Sequence, residues 1–455
     1  MAFDVHMFES LEPSRFVSFS FPNPCDSQSY LRVAVLDSPI ESTGSLSVAA
    51  MFVPPGRETD WIFSTESGHY QLLFNSPGIL RLILVGDQQS PVDDDALMIY
   101  NRSSDEDLAS IWIRLEVSLR PIFLALSPKS CFRTGIPEVP ILSYVDNVMC
   151  SVVLERCIGS YVGEFLIEDV EIERESRTEM FETREFRRRL RFRTMPNFIQ
   201  TEIRIIPETN LNQEGVEIQN IEFKPDTRVL VHPYLPPMAA SLSLIDSSID
   251  GKIQIGHKPK ALCVGVGGGA LLSFLVTHLD FEVVGVEIDM EVLRVARQYF
   301  GLAENEFLHI SIGDAIEFLE NTSKSVKKQK PGYDVIMVDL DSSDARNSGI
   351  VAPPLEFVGR DVLLSVRSVL SEHGIVVMNV IPPDKLFFEN LIEKFRSVFD
   401  DLFQIDVDNG ENFVVIGSVC PIRSLPRVIR ENKNSFLCRL RFLLSGAYMD
   451  SIKRI

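Results

Sequence analysis

The chain has 455 residues, 45% of them hydrophobic and 24% charged, with a formal net charge of -20. That length allows two or three domains with substantial cores, and the composition is ordinary for a globular protein. The acidic balance argues against a nucleic-acid surface as its main business and suits a basic partner or substrate.

Seven cysteines, an odd number with no CxxC pair, fit a reducing compartment better than a disulfide framework or a zinc site. The N-terminal stretch lacks a charged start followed by an apolar core, and no run approaches about 18 apolar residues. The expectation is a cytoplasmic protein with no membrane anchor and no bound metal, of open oligomeric state.

Residues 1–158 alternate strand-like runs (RFVSFSF, YLRVAVL, SLSVAAMFV, ILRLILV) with loops and read as an accessory α/β domain. Between Asp105 and Leu126 the apolar spacing is helical, with Pro121 expected to bend or end the helix. Trp61 and Trp112 read as core anchors. Residues 159–232 form a β-hairpin segment: YVGEFLIEDVEIE is a strand, and FRRRLRFR and FIQTEIRII flank the turn TMPN. Side chains alternate along a strand, so Arg187, Arg189, Arg191 and Arg193 share a face opposite Phe186, Arg188, Leu190 and Phe192. Such a row either grips an anionic partner or, more commonly, is a solvated face paired with acids such as Glu171, Glu173, Glu175, Glu182 and Glu185.

Strict β/α alternation occupies residues 233–420, opening with a proline-initiated helix in VHPYLPPMAASLSLI. It predicts a doubly wound, seven-stranded, Rossmann-like sheet closing on a hairpin of its last two strands. Ligand is expected at the carboxyl ends of the strands. The basic tail 421–455 is expected to pack on this core.

The core of the pattern is ALCVGVGGGALLSFLVTHLDFEVVGVEID, Ala261–Asp289. A buried strand runs into the turn glycines Gly265, Gly267, Gly268 and Gly269, and a helix aims its first N–H groups at a ligand that needs close backbone approach. Glu287 stands where a carboxylate binds ribose hydroxyls. NAD and S-adenosylmethionine both fit that frame. Three features favour the second. Asp314, with the backbone of Ala315, is placed for an adenine amino group; Asp339, Asp341 and Asp344 end the fourth strand, where an amine is held; and the turn GVGGGA has little need to cradle a pyrophosphate.

These motifs, with VEID, GDA and YDVI, resemble the spermidine-synthase-like group. YDVIMVDLDSSD followed by APPLEFV, together with WIFSTESG, YVGEFLIEDV and the closing SIKRI, resembles more specifically the C-terminal half of the elongation factor 1-alpha lysine and N-terminal methyltransferase family (methyltransferase-like protein 13). The resemblance implies a methyltransferase that uses S-adenosyl-L-methionine on the N-terminal α-amine of elongation factor 1-alpha or a similar basic protein. By it, Asp341 handles the amine and Asp339 supports the amine or cofactor. That family also has a second glycine-turn module assigned to lysine methylation. Only one is present here, so that activity is not carried over.

An α-amine has a pKa near 8, so much of it is neutral at pH 7, and the site needs mainly to position it and accept a proton. Asp344 reads equally as a cap, and Asn379 as a crevice or loop residue. His309 reads as a core histidine and His373 as a loop residue. Two rivals remain. One is a polyamine aminopropyltransferase, against which DSSD is followed by Ala345 where proline is expected. The other is a cofactor-binding module without turnover.

Overall fold

A computed structural model describes residues 5–39, 47–88, 98–103, 105–133, 135–173, 184–208, 216–326, 332–342, 352–407, 410–423, 435–444 and 447–455. They build three sheets. In the first, β1 (Phe16–Pro22), β2 (Tyr30–Asp37) and β4 (Arg81–Asp87) are antiparallel, while β3 (Val48–Phe52) runs parallel to β4 and to β6 (Ile141–Leu142). One face is covered by the helix Asp105–Ala125 through Leu119 and Phe123, the other by the helices Trp61–Ser64 and Glu66–Phe74. Pro121 lies inside the long helix without ending it. It removes only the N–H facing Val117, and burial of Leu119 and Phe123 on either side keeps the last turn in place. Trp61 is buried, and Trp112 stacks on Phe52 with centroids 6.3 Å apart.

The second sheet runs β11 (Phe223–Pro225), β10 (Thr201–Pro207), β9 (Glu185–Phe192), β8 (Gly163–Ile172), β7 (Val148–Gly159) and β5 (Ile99–Asn101), all antiparallel. The boundary expected at 158/159 therefore falls inside the last residues of β7, just before its tight turn into β8. The hairpin layer starts at Val148 and borrows β5 from the first unit. One face packs Phe165, Ile167, Phe186, Leu190 and Ile203 against Val292, Val295 and Phe300 of the third unit.

The arginine row is paired, as expected, but not solvated. Arg191 is buried against Glu168 (2.8 Å) and Asp60 (3.0 Å), and Arg189 against Glu202 (2.7 Å). On the opposite face, buried Arg188 forks onto Asp169 at 2.6 and 2.8 Å and donates to the Tyr299 carbonyl. A buried charge persists only with such partners. The row is therefore internal, tying the second sheet together and, through Arg191 and Asp60, to the first unit, while Arg188 on the other face reaches the third; only Arg193 of the row, paired with Glu164, is at the surface.

The third sheet has the order β14-β13-β12-β15-β16-β18-β17-β19. Its parallel strands are β12 (Lys260–Val264), β13 (Glu282–Glu287), β14 (Leu308–Ile312), β15 (Tyr333–Val338) and β16 (Leu370–Val380). β17 (Asp401–Asp406) and β18 (Phe413–Ser418) add the expected antiparallel hairpin. Seven strands become eight because the tail supplies β19 (Lys453–Arg454) along β17. The tail also packs the helix Phe436–Leu443 on the core through Phe436 and Leu440. Helices on both faces bury β12 and β15 completely, which is why their sequences are continuous apolar runs instead of alternating ones. His309 corrects an expectation: it is exposed, because β14 is the edge strand. His373 sits within β16, exposed, against the Cys420 thiol. Among the described residues no helix is long and apolar enough to cross a membrane.

Candidate active site

Strand order reverses between β12 and β15, whose neighbours β13 and β16 lie on opposite sides, so a crevice opens at their carboxyl ends. The glycine turn lines it. Gly265, Gly267 and Gly269 adopt φ of +87°, +52° and +77°, a region costly for any other side chain. Gly269 is the N-cap of the helix Ala270–Leu279 and brings no capping side chain, leaving first-turn N–H groups for a ligand.

Glu287 ends β13 and is buried beside this turn. Its Oε2 accepts the Val266 N–H at 3.1 Å, and its Oε1 accepts those of Ile288 and Asp289, each at 3.0 Å. Burial raises its pKa against these donors. The Gly267 N–H also faces this carboxylate, so backbone donors of the turn and of the strand end fix its orientation. The set suits the hydroxyls of a ribose with the apolar Val266, Ile288 and Leu340 around it.

Asp339 follows β15 across the crevice, and its backbone N–H bonds the Val264 carbonyl at 2.9 Å. Two neutral donors hold its carboxylate: the Tyr234 hydroxyl at 2.9 Å and the Asn379 amide at 3.2 Å. Burial raises the Asp339 pKa, opposed by His232 and these two bonds. Asp341 has no hydrogen bond among the described residues. By accessible surface it is exposed, yet protein surrounds it closely, because it lines a concave wall. That desolvation, with the Asp339 charge beside it, raises its pKa to about 7. One aspartate is thus clamped by donors, and the other is free to take a proton near neutral pH.

The cavity brings together Gly265, Gly267, Gly268, Gly269, Glu287, Asp339 and Asp341. Asp314 and Ala315 are not among its lining residues. The Asp314 carboxylate instead caps the helix Ala315–Val326, accepting the N–H groups of Ile316 and Glu317 at 2.9 Å each. Asp344 lies outside the described residues. Sequence reasoning missed His232 and Tyr234, which were read only as part of a helix start, and Thr201 from the hairpin layer. A Tyr two residues after His in front of a proline-opened helix is the one local signal for the first pair.

Packing adds a second reason for the glycines. A Cβ at Gly265 would lie 2.0 Å from the Asp339 carbonyl oxygen, at Gly268 2.3 Å from Thr201 Cγ2, and at Gly269 2.6 Å from Leu302 Cδ1. The turn is glycine-rich because protein crowds it from three sides, whatever the ligand also demands.

Residues 251–405 match the spermine/spermidine synthase domain family. Over 415 residues, 86% of this chain, the sequence is 26% identical to the human (Homo sapiens) eEF1A lysine and N-terminal methyltransferase and covers 54% of that protein. It is 27% identical over 221 residues to the polyamine aminopropyltransferase of Vibrio vulnificus, covering 47% of this chain and 64% of that one. The crystal structure of human methyltransferase-like protein 13 in complex with SAH matches 47% of this chain and 93% of its own, at 24% identity and a TM-score of 0.41. The chain spans about half the length of the curated eEF1A methyltransferases it matches. The chain is thus similar to the eEF1A lysine and N-terminal methyltransferases along most of its own length, and the stretch that matches the spermine/spermidine synthase domain lies in its C-terminal half.

Proposed function

We propose that the chain is an S-adenosyl-L-methionine-dependent protein methyltransferase acting on the N-terminal α-amine of elongation factor 1-alpha or a similar basic protein. The observation that carries this reading is the asymmetric pair at the end of β15, clamped Asp339 beside free Asp341.

The cofactor, when bound, supplies a methyl group activated by a sulfonium. Gly265 to Gly269 and Glu287 would hold it, with Glu287 on the ribose and the open first turn of the helix Ala270–Leu279 facing its carboxylate. The protein's own work is on the acceptor. Asp341 takes a proton from the ammonium form, matched in pKa closely enough for transfer at neutral pH. The neutral nitrogen left behind would be held in the crevice as the acceptor of that methyl group. Asp339, fixed by Tyr234 and Asn379, would present its carboxyl oxygens to the nitrogen as it becomes cationic. The second-sheet layer walls the crevice on the side of Gln200 and Thr201, restricting water.

A second reading, aminopropyl transfer to a polyamine, is favoured by the matched domain family and by the bacterial relative. Calorimetric titration with S-adenosylmethionine and with its decarboxylated form separates the two. Preference for the first supports methyl transfer, preference for the second supports aminopropyl transfer, and no binding of either rejects both.

A further inference from the structure

The crowded glycine turn touches a residue from outside the catalytic unit. Thr201 opens β10 of the hairpin layer, and its Oγ1 accepts the Gly268 N–H at 2.9 Å, across 67 residues of chain. Thr201 is 7% exposed, so that bond is shielded from water. The same side chain occupies the space that two turn glycines vacate: a Cβ at Gly267 would stand 2.8 Å from its Oγ1, and one at Gly268 2.3 Å from its Cγ2.

The threonine is itself firmly placed. Gln200 N donates to the Leu190 carbonyl at 2.9 Å, Glu202 is held by Arg189 at 2.7 Å, and the His232 ring bonds the Ile199 carbonyl at 2.8 Å. Ile199 and Gln200 before Thr201 and Glu202 after it are thus tied down. At the other end of the layer, the Asp289 carboxylate accepts the N–H groups of Tyr161 (2.7 Å) and Val162 (3.2 Å), fixing the β7–β8 turn to the residue two past Glu287. The hairpin layer is therefore built against both cofactor-facing motifs, the turn and the acid strand end.

We infer that Thr201 is a positioning residue for the cofactor turn, through which the hairpin layer sets the shape of the cofactor site. This rests on the S-adenosylmethionine reading above. A buried N–H that loses its acceptor must find another, and the turn has to rotate to expose it. The bound shape of the turn is then no longer preformed, and cofactor binding carries the cost of restoring it. Valine keeps threonine's outline and removes the acceptor; serine keeps the acceptor and removes Cγ2.

The test is calorimetric titration of the full chain with S-adenosylmethionine, beside thermal unfolding to verify folding. Thr201→Val is expected to weaken binding about tenfold, the scale of one lost buried hydrogen bond. Thr201→Ser should stay within about twofold of wild type. Gly268→Ala should also bind poorly, and adding Thr201→Ser should recover part of the loss, because the nearest atom that the new Cβ meets, Thr201 Cγ2 at 2.3 Å, is gone and the Phe300 ring at 2.9 Å remains. This pair keeps the inference testable if the valine variant does not fold. Wild-type binding with Thr201→Val unchanged, or with no recovery in the Gly268→Ala pair, overturns the positioning role alone. Failure of the wild type to bind overturns the cofactor reading and the inference with it.

Discussion

The Tyr234 hydroxyl donates to Asp339 Oδ2 at 2.9 Å, joining the helix that precedes the sheet to the strand end at its centre, 105 residues later. That bond, with the Asn379 amide on the other oxygen, makes the two aspartates of the DLD segment unlike. Asp339 is oriented; Asp341 is available. Environment, not residue type, divides the roles.

Asp341→Asn tests the available one. Removing a positioned proton acceptor costs on the order of 10²- to 10⁴-fold in the chemical step. Cofactor affinity should stay within a few-fold, since Glu287 and the turn are untouched. Single-turnover transfer measured beside calorimetry checks both, and near-normal turnover would refute the assignment.

The pH dependence follows from the same group. Asp341 acts ionised, so transfer should fall as pH drops through about 7. The folding consequence has the opposite sense to a salt bridge. Its folded pKa lies above an unfolded value near 3.9, so the ionised group disfavours the fold increasingly between those values and fully above about 7. Asp341→Asn should therefore raise the unfolding temperature at pH 8, with the gain shrinking toward pH 5. A constant or inverted difference would contradict the desolvated-carboxylate account.

Tyr234→Phe removes one donor from Asp339 and lets its pKa climb further. Turnover should drop about tenfold, the scale of a hydrogen bond to a charged group, with cofactor binding little changed. Steady-state kinetics that split kcat from cofactor KM decide it. Glu287→Ala should give the converse pattern: cofactor binding weakened about 10- to 100-fold, because a charged acceptor is lost.

How much of this was legible in sequence depends on the range of the contact. The glycine turn, Glu287, Asp339 and Asp341 carry local spacing, and the alternation of strands and helices fixed their order around the sheet. Thr201, Tyr234 and Asn379 act across 67, 105 and 40 residues of chain; Asn379 could be named as a strand end, but no local pattern says which distant side chain any of the three meets. Asp314 shows how one motif serves two readings: an acid before a helix binds a base or caps its own helix, and here the cap is what its carboxylate makes. The arginine row was read with the right kind of partner and the wrong exposure. A period of two gives the face but not what lies over it, and Asp60 arrives from 131 residues away.

That burial makes a stability prediction. Arg191→Ala leaves buried Glu168 without its cation and Asp60 with Arg57 alone, which should cost about 3–5 kcal/mol. Arg193→Ala, at the surface, should cost less than about 1 kcal/mol. Urea unfolding of the two variants would compare them, and equal midpoints would contradict the internal role of the row.

The central claim is transfer of a methyl group to a protein α-amine. Its most direct test is incubation of the chain with radiolabelled S-adenosylmethionine and elongation factor 1-alpha carrying either a free or a chemically blocked N-terminus. The account predicts label on the free form alone, lost in Asp341→Asn. Equal labelling of both forms, or label on a polyamine and on neither protein, would contradict it.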